Sequence, residues 1–271
     1  LDKYTMLCGR CPASRRPMCR ADFFKRKAHL WKTGGEYGKL EDGNRTERMR
    51  AMKFILSYSG GKDSVMALHK MLADGHEAAG LLVMVNRELQ RSWFHGVDLP
   101  LLREISRSLG IPLLLCESGG EDYHTAMEET LKQARAQGAE ACVFGDIDIE
   151  DHRIWCRERC DAAGLQCIHP LWQRDRTENT AEILTLGYRC IIKCVRNADL
   201  PQSFLGKVLD AGMVEEMQRR GIDVCGENGE YHTVVLDGPL FRFPVPYVCR
   251  EILDFGSHSA VNICLDSAAH P

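Results

Sequence analysis

The stretch SYSGGKDS, Ser57 to Ser64, constrains this chain more than any other. Three apolar residues, Phe54-Ile55-Leu56, precede it and read as a short buried strand. After it, Val65, Met66, Leu68, Met71 and Leu72 recur at helical spacing. The stretch therefore joins a strand to a helix through a tight glycine turn. That arrangement suits phosphate. Gly60 and Gly61 let the backbone approach an anion with no Cβ in the way. The first N–H groups of the helix point outward, and the helix dipole favours negative charge there. Lys62 reads as a mobile cation, and Ser59 and Ser64 add hydroxyl donors. Asp63 makes sense beside a polyphosphate if it handles Mg²⁺ or orients Lys62.

The turn is not a Walker-type P-loop, because its glycines are adjacent and its lysine is followed by aspartate. It resembles the PP-loop of the ATP pyrophosphatases, which cleave ATP to AMP and pyrophosphate. The bland alternative is a glycine-rich turn that binds nothing, and the strand–turn–helix setting argues against it.

With 271 residues and 44% apolar content, the chain is long enough for one large domain or two smaller ones. No apolar run reaches the length of a membrane span, so no membrane association is expected. The net charge of −3 is unevenly placed: residues 1–50 carry +7, leaving −10 on the rest. An acidic body argues against a broad grip on nucleic acid. Thirteen cysteines without framework spacing, and no signal peptide, fit a reduced, cytoplasmic protein.

Residues 1–51 read as a poorly ordered basic extension, with Met52 resembling a natural start. A sharper reading is zinc on Cys8, Cys11, Cys19 and His29, but the spacing lacks a second close ligand pair. From Met52 onward strands and helices alternate. Predicted strands are 54–56, 79–85, 112–116 and 141–144; predicted helices are 64–73, 99–109, 123–137 and 148–163. Such alternation implies an α/β fold, a parallel sheet with helices on both faces. Ligands then bind beyond the carboxyl ends of the strands. This places the Ser57–Ser64 loop, Met84–Asn86 and Gly145-Asp146 at one rim. The ATP-binding domain is expected over 52–166 and a smaller α+β substrate domain over 167–256. In the latter, helices are expected at 180–186 and 205–220, and strands at 189–195 and 233–236. Residues 257–271 read as a frayed tail.

A second motif narrows the field. Gly226-Glu227-Asn228-Gly229-Glu230-Tyr231-His232-Thr233, then Leu236-Asp237-Gly238-Pro239-Leu240-Phe241, resembles the signature of the diphthine–ammonia ligase family of PP-loop ATP pyrophosphatases. Val143-Phe144-Gly145-Asp146-Ile147 and His169-Pro170-Leu171-Trp172 match as well. The resemblance runs from about Met52 to Arg250 and implies an adenine-nucleotide alpha-hydrolase-like fold. It implies a reaction too. The carboxylate of diphthine, a modified histidine of elongation factor 2, becomes an amide with ammonia as nitrogen donor. ATP activates that carboxylate as an acyl-adenylate, and ammonia displaces AMP.

On that scheme Ser59, Gly60, Gly61, Lys62 and Ser64 hold the phosphates, and Asp63 orients the loop or binds Mg²⁺ through water. Met84 and Asn86 would meet adenine through the backbone, and Gly145, with Asp146 beside it, would admit the ribose. Glu227, Glu230 and His232 are expected to converge on the trimethylammonium, the ammonium or Mg²⁺. Asp237-Gly238-Pro239 reads as a turn, His95 as either packing or site, Cys156 and Cys160 as inert thiols or a ligand pair, and Trp172 as core or as an aromatic face for a quaternary ammonium. Two other readings remain: an enzyme adenylating a tRNA base for thiolation or amination, and a non-catalytic ATP/AMP sensor. A homo-oligomer is left open.

Overall fold

The computed structural model describes residues 50–266 and residue 268. The expectations for residues 1–49, zinc included, lie outside the described residues.

Strand β1 (Lys53–Ser57) is the centre of the first sheet. Its side chains alternate between two cores, as a period of two requires. Phe54 and Leu56 face one, with α1 (Lys62–Ala73) and α2 (Leu99–Leu109). Ile55 faces the other, with α3 (Tyr123–Ala136) and α4 (Glu150–Ala163). Strand β2 (Glu77–Asn86) repeats the pattern, with Leu81, Val83 and Val85 on one face and Leu82 and Met84 on the other. Both faces are covered, so these strands read as apolar runs. Truncating Phe54 or Leu56 to Ala would cost about 2–5 kcal/mol.

In the sheet, β1 pairs in parallel with β2 on one side and β5 (Ala141–Val143) on the other. Beyond them lie β4 (Leu113–Ser118), parallel to β2, and β6 (Gln166–Ile168), parallel to β5. A two-residue strand, β3 (Arg91–Ser92), folds back antiparallel on the end of β2. Gly110 and Gly164 end α2 and α4 in left-handed conformations, the C-cap role their spacing predicts. Among the described residues no helix is long and apolar enough to cross a membrane.

The second sheet is antiparallel, in the order β8 (Tyr231–Asp237), β7 (Arg189–Arg196), β10 (His258–Leu265), β9 (Tyr247–Asp254). Here the sequence reading needs correcting. Within the tail expected over 257–271, residues 258–265 form an inner strand between β7 and β9. The signal is the alternation of Ser259, Val261 and Ile263, all buried, hidden by a polar neighbourhood. The expected boundary at 166/167 falls inside β6. The single helix expected over 205–220 is interrupted. A turn of 3₁₀ helix (Gln202–Phe204) leads to Gly206 at φ +76°, and Val208 bridges to Ile191. Helix α6 (Ala211–Arg219) starts only at Asp210, whose side chain accepts from Met213 N at 2.8 Å. Between β6 and β7 lies α5 (Arg176–Thr185).

Candidate active site

Past β1, Tyr58 still pairs with β2, donating to Leu82 O at 2.8 Å. The chain then turns through Gly60 at φ +83°, a conformation that favours glycine. A Cβ on Gly61 would lie 2.7 Å from His95 Cε1. Helix α1 begins at Lys62 with no side-chain cap of its own. Strand β8 supplies one from 171 positions away: Thr233 Oγ1 accepts from Lys62 N at 3.0 Å. The same strand donates Val235 N to Gly60 O at 2.8 Å. His95 closes the clamp, donating Nδ1–H to Thr233 O at 2.8 Å. Burial pushes its pKa down to about 4, so the ring is neutral at physiological pH. Within the loop, Ser59 Oγ accepts from Gly61 N at 3.2 Å and Ser64 Oγ donates to Gly61 O at 2.9 Å.

Lys62 is not the mobile cation the sequence suggests. Its side chain is 5% exposed, and Nζ donates to Asp63 Oδ2 at 2.6 Å and to the Cys225 carbonyl. The ammonium lies 5.6 Å from the Tyr231 ring centroid. Burial works against its charge, but Asp63, Cys225 and Tyr231 together outweigh that, and its pKa is raised well above the ordinary lysine value. The other Asp63 oxygen accepts from Asn179 Nδ2 at 3.1 Å. Asn179, buried in α5, escaped the sequence reading; its signal is a polar residue on the apolar side of a helix.

The segment before β8 is organised by Asp223, which sequence reasoning also missed. Its carboxylate accepts from Cys225 N at 2.9 Å and Glu227 N at 3.3 Å, and pairs with Arg176 at 2.5 Å. Arg176 also forks onto Asp148 at 2.6 and 2.8 Å. In this frame Glu227, Glu230 and His232 each make contacts of their own. Glu227 reaches Ile147 N at 3.4 Å, on the rim beyond β5. Burial, then the nearby Asp63 charge, raises its pKa to about 7, while Lys62 pulls it down. Glu230 is buried and turns back on its own loop, accepting from Asn228 N at 3.1 Å and Asn228 Nδ2 at 3.2 Å. Arg196 stands 3.9 Å away. His232 packs on His95 with ring centroids 4.9 Å apart. Burial, helped by His95, pushes its pKa down to about 3.

Gly145 is explained by packing. A Cβ there would lie 2.8 Å from the Asp63 carbonyl carbon and 2.9 Å from Ser64 N, so glycine lets β5 close on the first turn of α1. Asp146 commits its carboxylate to His152 Nδ1, at 3.3 Å, and faces Cys156 and His169. The Met84 carbonyl accepts from Trp93 N at 3.0 Å, and Asn86 Oδ1 caps a turn by accepting from Glu88 N and Leu89 N, both at 3.0 Å. These oxygens hold the β2–β3 turn at the rim. Asp237-Gly238-Pro239 is a turn, with Gly238 N donating to Asp237 Oδ1 at 2.8 Å.

The rim thus combines a glycine turn at a helix start, a buried lysine–aspartate pair and a carboxyl that titrates near neutrality. Residues 52–167 match the model of the diphthamide synthase N-terminal domain, and residues 175–263 that of its C-terminal domain. The chain is 28% identical over 227 residues to a human protein named diphthine–ammonia ligase, covering 74% of this chain and 85% of that one. It is 27% identical to the bovine protein of that name, covering 77% and 86%. The Schizosaccharomyces pombe ligase is 27% identical over 79% of this chain and 38% of its own length. Among solved structures, a predicted subunit of tRNA methyltransferase from Methanocaldococcus jannaschii is 14% identical with a TM-score of 0.38, covering 72% of this chain and 100% of that one.

Proposed function

The chain belongs to the diphthamide synthase family, and on that premise we propose that it amidates the carboxylate of a diphthine-bearing protein with ammonia. The protein substrate is elongation factor 2. ATP is split to AMP and pyrophosphate, which converts a poor electrophile into an acyl-adenylate. The family matches favour this ligase over an enzyme acting on a tRNA base and over a nucleotide sensor.

The observation that carries the reading is Glu227, a carboxyl placed at the rim against Ile147 N at 3.4 Å, whose pKa burial and then the Asp63 charge raise to about 7. Ammonia in water is mostly ammonium, and only the neutral form is a nucleophile. An ionised Glu227 takes a proton from ammonium, and the freed ammonia attacks the acyl carbon. A base titrating near neutrality is poised for that exchange. The phosphates of ATP would lie at the turn of Gly60 and Gly61, where the backbone enters α1 without a side-chain cap from the turn itself. Lys62 fixes Asp63 and neutralises the floor of the site, with Ser59 and Ser64 shaping the turn. Mg²⁺ takes oxygen ligands and keeps several waters. Asp63 supplies such oxygens and would hold the ion through water, where it offsets phosphate charge.

The test is an assay with ATP, ammonia and diphthine-bearing elongation factor 2, reading amide by mass and nucleotide by chromatography. AMP and amide in equal amounts are expected. ADP with free phosphate and no AMP overturns the reading.

A further inference from the structure

Asp146, Cys156 and His169 form a second cluster, next to the rim but not used by the amidation scheme. Asp146 follows β5, Cys156 lies on α4, and His169 follows β6. Their ligand atoms all lie within 4.8 Å of one another. Asp146 Oδ2 is 3.7 Å from Cys156 Sγ and 3.8 Å from His169 Nε2. A tetrahedral ion with bonds of zinc length has ligand separations of about 3.3–3.8 Å.

His169 supplies an independent observation. Its side chain is 6% exposed, and its Nε2 is buried with no hydrogen-bond partner among the described residues. If Nε2 carries the proton, it finds no acceptor within hydrogen-bond reach. If Nε2 carries the lone pair, that pair faces a carboxylate. Both states are costly in a buried site. The ring is also held in place. It stacks on Phe144 at 5.4 Å with planes 19° apart, and its Nδ1 lies 3.8 Å from Cys167 Sγ. A fixed ring with its far nitrogen partnered is the usual support of a metal-bound histidine. His152 steadies the other Asp146 oxygen at 3.3 Å.

We propose that Asp146, Cys156 and His169 bind one divalent transition-metal ion of the zinc class. The donor set is one nitrogen, one sulfur and one oxygen, which suits zinc or cobalt and not magnesium or calcium. A carboxylate and a thiolate bring two negative charges against the two of the ion. Binding forms three metal–ligand bonds and releases the Cys156 thiol proton to solvent. Three protein ligands leave a fourth coordination position. A cavity of about 160 Å³, lined by Arg153, Arg157, Cys167, His169 and Trp172, gives access from the His169 side.

The experiment uses the full chain, stripped with chelator and titrated with Co²⁺. The expected result is one equivalent giving visible bands of a tetrahedral ion and a thiolate-to-cobalt charge-transfer band, bleached by Zn²⁺. In Cys156→Ser that charge-transfer band disappears, while far-ultraviolet circular dichroism and ATP binding are kept. His169→Gln weakens Co²⁺ binding by about 100-fold or more, and serves in its place if Cys156→Ser fails to fold. A Cys8→Ser/Cys11→Ser variant keeps the band. Absence of any thiolate band, or a band kept in Cys156→Ser and lost in Cys8→Ser/Cys11→Ser, overturns the proposal.

Discussion

Glu227 and Glu230 are three residues apart in one motif, yet the fold sends them to opposite uses. Glu227 lies over the rim, where burial and then the charges of Asp63 and Asp146 hold its proton, and among the described residues its carboxylate accepts from the backbone N–H of Ile147. Glu230 is more buried but well supplied, with two donors from Asn228 and Arg196 close by. A carboxylate given partners is a strut. A carboxylate denied them is chemically poised. The difference arises at Gly229, whose φ of +83° turns the chain between the two.

The largest combined effect on activity and stability is expected at Lys62, which anchors the segment before β8 through the Cys225 carbonyl. Lys62→Ala strips the counter-charge from Asp63 and the donor from the Cys225 carbonyl. Activity should fall by about 10²–10³-fold, the scale for losing a preorganised charge-stabilising group. Stability should fall by about 3 kcal/mol, since a partly buried carboxylate loses its counter-charge and keeps only neutral partners in Asn179 and the Cys225 thiol. Urea melts and AMP release measure the two. A variant that keeps full turnover shows that the buried ammonium serves neither end of the segment.

Next comes the direct contrast. Glu227→Gln should lower amide formation by about 10²–10⁴-fold, with ATP affinity changed only a few fold. Glu230→Gln should leave turnover within a few fold and cost about 1–2 kcal/mol of stability. Steady-state kinetics and thermal melts on the two variants read this directly. Should Glu230→Gln abolish amidation with normal melting, the assignment of strut and base is reversed.

Much of this site was legible in the sequence. The SGGKDS turn fixes where β1 meets α1, because only adjacent glycines allow that approach to a helix start. The GENGEYHT motif marks the partner segment. The aim of each side chain was not legible. Nothing local says that the Lys62 ammonium turns inward to Cys225, because that contact spans 163 positions. Glu227 and Glu230 look alike until Arg196, on another strand, claims one of them. The later strands were lost for a different reason. Strand β9 is exposed along most of its length, so it carries no clean alternation, and β10 alternates within a polar stretch.

A pH dependence sharpens the contrast further. The Glu227 carboxyl titrates near 7 in the folded chain against an ordinary value of 4.5. A raised acid pKa means the folded state keeps the proton longer, so its stabilising share is full below pH 4.5 and is lost as pH rises through 7. Wild type should therefore lose up to about 3 kcal/mol across that window relative to Glu227→Gln, which cannot titrate. Denaturant midpoints at pH 5 and pH 8 give the comparison. Parallel pH curves for the two proteins remove the argument that Glu227 is held near neutrality.

The smallest expected effect concerns the strand both carboxylates lead into. Thr233→Val keeps the shape of the side chain but deletes the oxygen that accepts from Lys62 N. The buried N–H at the start of α1 then has no cap, since α1 carries none of its own. A lost hydrogen bond of this kind costs about 1–2 kcal/mol. The Val235–Gly60 and His95–Thr233 bonds use backbone atoms of β8, so the clamp itself survives. ATP affinity should weaken by less than about ten-fold, with the ratio of AMP to amide unchanged. A variant with normal melting but uncoupled ATP cleavage would show instead that Thr233 meets the substrate, and the capping role would have to be given up.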